Sequence, residues 1–453
     1  MLLSDCQIGI DRGELPHIFG EKLRISRSHP RGSMGFKTIV GLNRMTSTDS
    51  SRGPLHGYRI LEFGANFTGP IAGMLLGDQG AEIIKIEPPA GDQMRYQGSM
   101  RGGLSAIFIS ANRNKQSVVL DVKKPAAIET FRRLAATCDV VLQNFRPGVV
   151  ERLGLAYEDI KRVRQDIIYV SITGFGDSGP YANQRVYDTV IQGVAGVAGA
   201  QRDPDTLLPS PVRSAIADKV TAYTVAQAIT ASLLSRERTG DGQHVRINML
   251  NAMLSFWWPD VMSNHTFVGP GASRAGNVGD GRPIYKTSDG YLIAVCVSDA
   301  EWKALVDALG LPELADDPRF RSQRDRGAHI KEQHEVLEGA FLNRTTAEWL
   351  EVLRKLDAVS APVNSLDQLQ DDPQISAAGL LSEVDYPTAG LVRQPIHPIA
   401  FERTPARFRG HAPLLGEHTR EVLSRLGLTA EEIQTLCEQG AAFCAQPGAA
   451  DHR

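Results

Sequence analysis

Short apolar runs alternate with longer amphipathic stretches through the first half of the chain. "YRILEF" at 58–63, "EIIKIE" at 82–87 and "DVVLQNF" at 139–145 are rich in Val, Ile, Phe and Leu, as buried strands are. Between these runs, "TGPIAGMLLGDQG" and "PAAIETFRRLAATC" repeat apolar residues at helical spacing. Because strands that alternate with helices usually form parallel sheets, the pattern predicts an α/β fold.

The pattern changes after the Ala-rich stretch "DKVTAYTVAQAITASLLSRERTG" and the strand-like "QHVRINM". Further on, "DGYLIAVCVSDAEWKALVDALG" predicts another strand and helix, and "TTAEWLEVLRKL" another helix. We therefore expect a large Rossmann-like domain that begins in 51–245 and a smaller α/β domain in 250–350. A return segment in 355–436 would complete the large domain, and 437–453 would be a loose tail.

The first 50 residues lack this pattern. They are polar and rich in Arg and Ser, and a second phrase that resembles a start, "MTSTDSSRG", begins at Met45. We expect residues 1–50 to be a disordered extension. A mitochondrial presequence is poor in acids, whereas Asp5, Asp11, Glu14 and Glu21 interrupt this segment. No apolar run in the chain approaches the roughly 20 residues that cross a bilayer, so we expect a protein that is not in the membrane.

Charge and cysteine content narrow the choice of partners. The chain has 49 Lys and Arg against 52 Asp and Glu, a formal charge of -3. Such a balance offers no global field for nucleic acid or anionic lipid. The five cysteines are scattered and form no C-x-x-C pair, which favours reduced thiols over disulfides or a zinc site. We expect a cytoplasmic protein that binds neither nucleic acid nor membrane.

Several basic residues follow the predicted strands. Lys123, Arg146 and Arg152 each lie at or a few residues beyond the carboxyl end of a strand. Ligands of parallel sheets bind at that edge, where an anion meets basic side chains and backbone N–H groups. These three cations are therefore candidate anion ligands, although solvated surface charge is the usual state of any single Lys or Arg.

Three short motifs do not fit their usual chemistry. "GFGDSG" matches G-x-G-x-x-G, but Pro180 and a polar run follow it instead of a helix, which disfavours a dinucleotide site. "GDSGP" is also found in trypsin-like proteases, yet no His-then-Asp context precedes it. His329 and His334 are five residues apart and do not share a helical face, so we expect no metal site.

Seven phrases in order resemble one known family. They are "ILEFGANFTGPIAGMLLGDQGAEIIKIEPPAGDQMR", "NRNKQSVVLDVKKP", "CDVVLQNFRPGVVERLGL", "SITGFGDSGPY", "YDTVIQGVAG", "RTGDGQHVRINM" and "APLLGEHTREVLSRLGL". Together they resemble the class III coenzyme A transferases, the formyl-CoA transferase-like family, from about Pro54 to Leu436. The resemblance implies transfer of CoA from an acyl-CoA to a free carboxylic acid without a metal or organic cofactor. It also implies a homodimer of two interlocked chains.

The resemblance carries specific roles to this chain. The Asp of the "YD...Q...G" phrase is the family's nucleophile and corresponds to Asp188. An aspartate carboxylate is ionised at neutral pH and needs no base to attack a thioester. By the same resemblance the CoA site would be lined by Leu120, Lys123, Asn144, Phe145, Arg146 and Arg152.

This chain departs from formyl-CoA transferase at three places. Phe67 stands where that enzyme has Gln, and Pro88 where it has Arg, so the contacts to CoA phosphates must differ. Asp280 interrupts the glycines of "GNVGDGRP", the counterpart of the flap over the aspartate. A closing role for the 276–283 loop is therefore an open question.

Two other functions stay open at this point. A sister branch of the superfamily racemises 2-methylacyl-CoA with a His before the aligned Asp and a second Asp further on. This chain has Tyr187 in place of that His, although Asp218 matches the second acid, so its proton relay lacks one member. A non-catalytic CoA-binding protein is the other alternative, and the intact Asp188 disfavours it.

Overall fold

A parallel sheet forms the centre of the computed structural model, which describes residues 52–203, 205–273, 281 and 283–445. The expected extension at 1–50 lies outside the described residues. In chain order the described strands are β1 Arg59–Phe63, β2 Glu82–Glu87, β3 Met100–Arg101, β4 Leu104–Ser105, β5 Lys115–Leu120, β6 Val140–Gln143, β7 Ile168–Thr173, β8 His244–Asn248, β9 Ile284–Lys286, β10 Tyr291–Val295, β11 Val359–Pro362, β12 Leu381–Tyr386, β13 Gly390–Pro395 and β14 Ala442–Phe443.

Helices connect most of these strands. The described helices are α1 Thr68–Asp78, α2 Ala106–Asn112, α3 Pro125–Ala136, α4 Val149–Arg152, α5 Tyr157–Lys161, α6 Asp188–Val194, α7 Val197–Ala200, α8 Ile216–Thr239, α9 Met249–Val261, α10 Ser263–Thr266, α11 Asp299–Ala308, α12 Gln323–Ala328, α13 Ile330–Phe341, α14 Thr346–Lys355, α15 Pro373–Ala377, α16 Thr419–Arg425 and α17 Ala430–Glu438. Single 3₁₀ turns cover Gln93–Tyr96, Pro312–Ala315 and Leu366–Asp371.

The central sheet has the order β14-β5-β2-β1-β6-β7-β8. β1 pairs in parallel with both β2 and β6, so the chain winds outward from β1 first to one side and then to the other. This is the strand order of the Rossmann fold, and it places the topological switch point between β1 and β6. The expectation of an α/β, Rossmann-like fold is confirmed.

Alternate residues of the strands serve the two faces of the sheet, as the pleat requires. Leu61 and Phe63 of β1 pack on one face against α3, α5, α16 and α17. Ile60 points to the opposite face, where α1 and α8 cover the sheet. Because both faces are buried, the strands are nearly continuous apolar runs, which explains why the sequence predicts them well.

A second region follows α10. Its sheet has the order β11-β10-β9, and both pairings are antiparallel. Trp302, Phe320 and Trp349 contribute to a separate apolar core beneath it. β11 lies beyond residue 350, so the sheet extends past the limit expected for the small domain. The domain limits themselves stay a prediction.

The segment expected to be a loose tail begins with ordered structure. α17 continues through Cys437 to Glu438, and β14 then pairs antiparallel with β5, with Ala442 opposite Leu120. The expectation of a loose tail was therefore wrong as far as residue 443. A strand of two residues is too short to produce an alternating pattern, which is why the sequence does not indicate it.

Candidate active site

Asp188 is the first residue of α6, the helix that follows β7 and its exit loop. Tyr187 precedes it with extended backbone, and α6 begins directly after it. An acidic side chain in the first turn of a helix interacts favourably with the helix dipole, which is consistent with a helix that begins here. Asp188 as a whole residue is 8% exposed, so it is largely shielded from water.

Both carboxylate oxygens of Asp188 accept a hydrogen bond. Gln192 donates from Nε2 to Oδ2 at 2.5 Å, one helical turn further along α6. The backbone N–H of Asp218, in the first turn of α8, donates to Oδ1 at 3.0 Å. Since a carboxylate offers about four lone-pair sites, capacity for attack remains while the rotamer is held.

Gln192 is itself fixed by the backbone of the segment before α8. Its Oε1 accepts the N–H of Val212 at 2.8 Å, and its Nε2 also donates to the carbonyl of Ser214 at 3.1 Å. The side chain is fully buried. A buried amide with several partners has one orientation, so Gln192 holds the Asp188 carboxylate in a defined geometry.

Asp218 brings a second acid to the site. The hydroxyl of Thr68, the first residue of α1, hydrogen-bonds to the Asp218 carboxylate. Burial and the nearby Asp188 carboxylate raise the pKa of Asp218 to about 6. The sequence connected Asp218 only with the racemase alternative and did not indicate Thr68, because these contacts join residues 150 positions apart in the chain.

The switch point between β1 and β6 is held by Asn144. Its Oδ1 accepts the N–H of Ala65 at 3.0 Å, and its Nδ2 donates to the carbonyl of the same residue at 2.8 Å. A Cβ at Gly64 would lie only 3.0 Å from the Asn144 oxygen, which explains the glycine there. The ring centroids of Phe145 and Phe63 are 4.4 Å apart, and Phe145 is half-buried at this edge.

The remaining candidates for CoA binding divide into two kinds. Lys123, Arg146 and Arg152 are exposed, and their side chains have no hydrogen-bond or ion-pair partner in the described part of the chain. Lys123 follows β5, Arg146 follows β6, and Arg152 ends α4. Leu120, by contrast, is buried in the core at the end of β5. The structure thus brings Asn144 and Phe145 to the switch point and leaves the three cations at the surface.

A buried ion network supports the loop between β1 and α1. Lys85 of β2 donates to the carbonyl of Gly64 at 2.9 Å and pairs with Glu62 and Asp92 at 3.1 and 2.9 Å. Asp92 in turn accepts the N–H of Asn66, whose φ is 65°. Burial alone would lower the pKa of Lys85, but the two carboxylates raise it above its usual value. The one sequence signal for this network is the lysine inside the apolar run "EIIKIE", because a buried charge requires partners of opposite charge.

Two of the departures from formyl-CoA transferase can be placed. Phe67 precedes α1 and packs, half-buried, against the apolar cluster that contains Phe108. Pro88 follows β2 directly. Asp280 lies outside the described residues, as does most of the 276–283 loop.

Within the described ranges, no three His, Cys, Asp or Glu side chains are grouped as metal ligands would be. Nor does any helix of those ranges combine the length and apolarity that a membrane crossing requires.

Comparison with known proteins defines the class. The family model of CoA-transferase family III matches residues 55–419. The chain belongs to this family and is a class III CoA-transferase. It is 35% identical over 404 residues to the succinyl-CoA:glutarate CoA-transferase of Mus musculus, covering 87% of this chain and 91% of the relative.

Two further proteins show the same likeness. The succinate–glutarate CoA-transferase of Agrobacterium fabrum is 34% identical over 393 residues, which cover 84% of this chain and 98% of the relative. The crystal structure of a CAIB/BAIF family protein from Brucella suis superposes with a TM-score of 0.73 at 32% identity, covering 83% of this chain and 100% of that one. The family predicted from the seven sequence phrases is confirmed.

Proposed function

We propose that the protein moves CoA from an acyl-CoA donor to a free carboxylic acid through an aspartyl-CoA thioester on Asp188. The observation that carries this proposal is the fixed carboxylate, with one oxygen on Gln192 and the other on the Asp218 N–H. A nucleophile held in one rotamer approaches the thioester carbonyl with little further loss of entropy.

The reaction proceeds in balanced steps. Asp188 attacks the thioester carbonyl and expels CoA thiolate, which leaves a mixed anhydride between Asp188 and the donor acid. The thiolate then attacks the Asp188 carbonyl, releases the donor acid as a carboxylate and forms the aspartyl-CoA thioester. The acceptor carboxylate reverses both steps, so no net proton and no metal or organic cofactor is required. Exclusion of water protects the anhydride from hydrolysis.

For CoA itself, the exposed cations at the carboxyl edge provide the charge. We assign Lys123, Arg146 and Arg152 to its phosphates, because free cations at strand ends suit a ligand with several negative charges. Asn144 and Phe145 lie at the switch point, where the rest of the molecule would pass. Leu120 is buried, so its part in this site is restricted to backbone contact or to shape.

Dicarboxylic acids are the first substrates to test. The two relatives described above are named for succinate and glutarate, acids with a second carboxylate at the far end of a short chain. We propose succinyl-CoA as donor and glutarate as acceptor.

We also propose that the protein is an interlocked homodimer. Sedimentation tests this: an interlocked pair stays dimeric at nanomolar concentration, whereas a reversible monomer would contradict it.

The decisive experiment gives the enzyme acyl-CoA without an acceptor. The first half-reaction then leaves a covalent adduct on the peptide that carries "VYDTVIQGVAG", which mass spectrometry detects as a CoA-sized addition. Hydroxylamine converts the same activated carboxyl to a hydroxamate. Solvent deuterium in the acyl α-position without an adduct would indicate a racemase. Neither signal, across succinyl and other acyl-CoAs, would indicate a binding protein.

A further inference from the structure

The transfer chemistry proposed above gives no task to the carboxyl group of Asp218. Its backbone N–H already serves Asp188, and any residue at that position would supply it. The side chain instead points to α1, where it accepts the hydroxyl of Thr68. An acid in this place is costly, because its charge is partly buried and next to a second negative charge.

The groups that face this carboxyl come from three helices. From α6 the charge of Asp188 acts on it, and from α1 the neutral hydroxyl of Thr68 donates a hydrogen bond to it. On α8 itself the charge of Lys219 lowers the pKa of Asp218, but the Lys219 Nζ is exposed and donates to the Ser214 hydroxyl at 2.7 Å. Burial and the Asp188 charge outweigh these favourable contacts and raise the pKa of Asp218 to about 6. At pH 7.5 Asp218 is therefore ionised.

We propose that Asp218 is a positioning residue whose negative charge activates Asp188. In the free enzyme the hydrogen bond from the Asp218 N–H to Asp188 keeps the two residues together, and their negative charges repel each other. When Asp188 becomes an anhydride or thioester it loses its charge, and the repulsion ends. The free nucleophile is thereby destabilised relative to the covalent states, which lowers the barrier to attack. This inference rests on the proposed function of Asp188.

The proposal has a consequence for stability with a definite sign. The pKa of Asp218 is higher in the folded chain, about 6, than the 3.8 of a free side chain. The folded state therefore binds the extra proton between these values. Ionised Asp218 costs stability above about pH 6, and the cost disappears as the pH falls below 4. A residue kept for structure would stabilise the fold; one kept for activity need not.

Asp218→Asn tests this directly, because Asn keeps the shape and the backbone N–H but carries no charge. The turnover number, kcat, is measured from pH 5 to 8.5 with an acyl-CoA that the wild type uses, and Tm is measured at pH 7.5 and 4. We expect wild-type kcat to fall below about pH 6. In the variant kcat should be about tenfold lower above pH 7. The variant should also lack the fall of kcat at low pH, which is the acid limb of the pH profile. Its Tm should be about 2 °C or more above the wild-type value at pH 7.5, and equal to it near pH 4.

Thr68→Val is the matched control, since it removes the hydroxyl and leaves the charge. Its acid limb should remain and move to higher pH, because a hydrogen bond that favours the ionised form is lost. Thr68→Ser should restore the wild-type profile.

Three results for Asp218→Asn would overturn the proposal: wild-type kcat, a uniformly lower kcat with the acid limb intact, or a lower Tm at pH 7.5. A wild type that forms no adduct with any acyl-CoA would instead contradict the proposed function itself, and this inference with it.

Discussion

The carboxyl edge of the central sheet has two parts that differ in how their side chains are held. In the first part, Asp188 accepts two hydrogen bonds, and Gln192 is fixed in turn by hydrogen bonds with three backbone groups. On the other part, Lys123 and Arg152 extend from the surface without a partner in the described residues. The side chain that we propose as the nucleophile is therefore positioned before the substrate arrives, whereas the cations that we propose for CoA are not.

The difference follows from what each group must do. A nucleophile gains rate from a fixed approach to the carbonyl, and an error of about 1 Å can cost a hundredfold. A phosphate-binding cation acts over a longer distance, and leaving it hydrated in the free protein avoids desolvation. If the comparison is correct, substitutions in the first part should reduce kcat, and substitutions in the second should raise KM.

Asp188 should show the largest effect. Asp188→Ala removes the attacking oxygen and should abolish CoA transfer, and Asp188→Asn should do the same because an amide is a poor nucleophile. The Kd for CoA, measured by calorimetry, should change by no more than a few fold, since the side chain reacts and does not anchor. More than a few per cent of wild-type kcat in either variant would exclude Asp188 as the nucleophile.

Gln192 should show the next largest effect. Gln192→Ala frees the Asp188 rotamer, leaves the N–H of Val212 without its partner and removes one of the two hydrogen bonds that the carbonyl of Ser214 accepts. We expect kcat to fall about 10- to 100-fold with little change in KM, and the free energy of unfolding to fall by about 1–3 kcal/mol.

Thr189→Ala, at an exposed position of the same helix, is the control for Gln192 and should keep both values. An equal loss in the control would assign the effect to α6 as a whole. Unchanged kcat in Gln192→Ala would show that Asp188 reacts equally well without the hydrogen bond from Gln192.

The fold could be predicted because its signals are local. Buried parallel strands are apolar runs, and the helices between them have helical periodicity, so β1, β2, β6 and their partners follow from the sequence. Part of the nucleophile site is also local: Asp188 and Gln192 are four residues apart, which places them on one face of α6. That spacing is readable from the sequence alone.

Other parts of the site could not be predicted from local patterns. The contact between Thr68 and Asp218 joins residues 150 positions apart, and nothing near either residue indicates the other. The position of Leu120 is a second feature that local patterns do not indicate. The family resemblance assigned it to the CoA site, but its position in the core depends on how β5 packs against α3 and on the pairing with β14, which only the assembled sheet shows.

The smallest effects are expected at the exposed cations. Arg152→Ala and Lys123→Ala should raise KM for acyl-CoA by an amount equivalent to about 1–3 kcal/mol each, if each makes a charge-assisted hydrogen bond to phosphate. kcat should stay unchanged, because neither residue contacts the reacting carbonyl. Added salt should shrink the difference in KM from wild type, since the Coulomb attraction between exposed charges is screened.

Lys331→Ala, which removes an exposed cation of α13, is the matched control and should leave KM unaltered. A lower kcat with constant KM in Arg152→Ala would show that Arg152 acts in the chemical step, as Asp188 does. The distinction between the two parts of the carboxyl edge would then be wrong. Unchanged KM in both variants would show that Lys123 and Arg152 are ordinary solvated surface charges. Other groups, beyond these cations at the carboxyl edge, would then have to bind CoA.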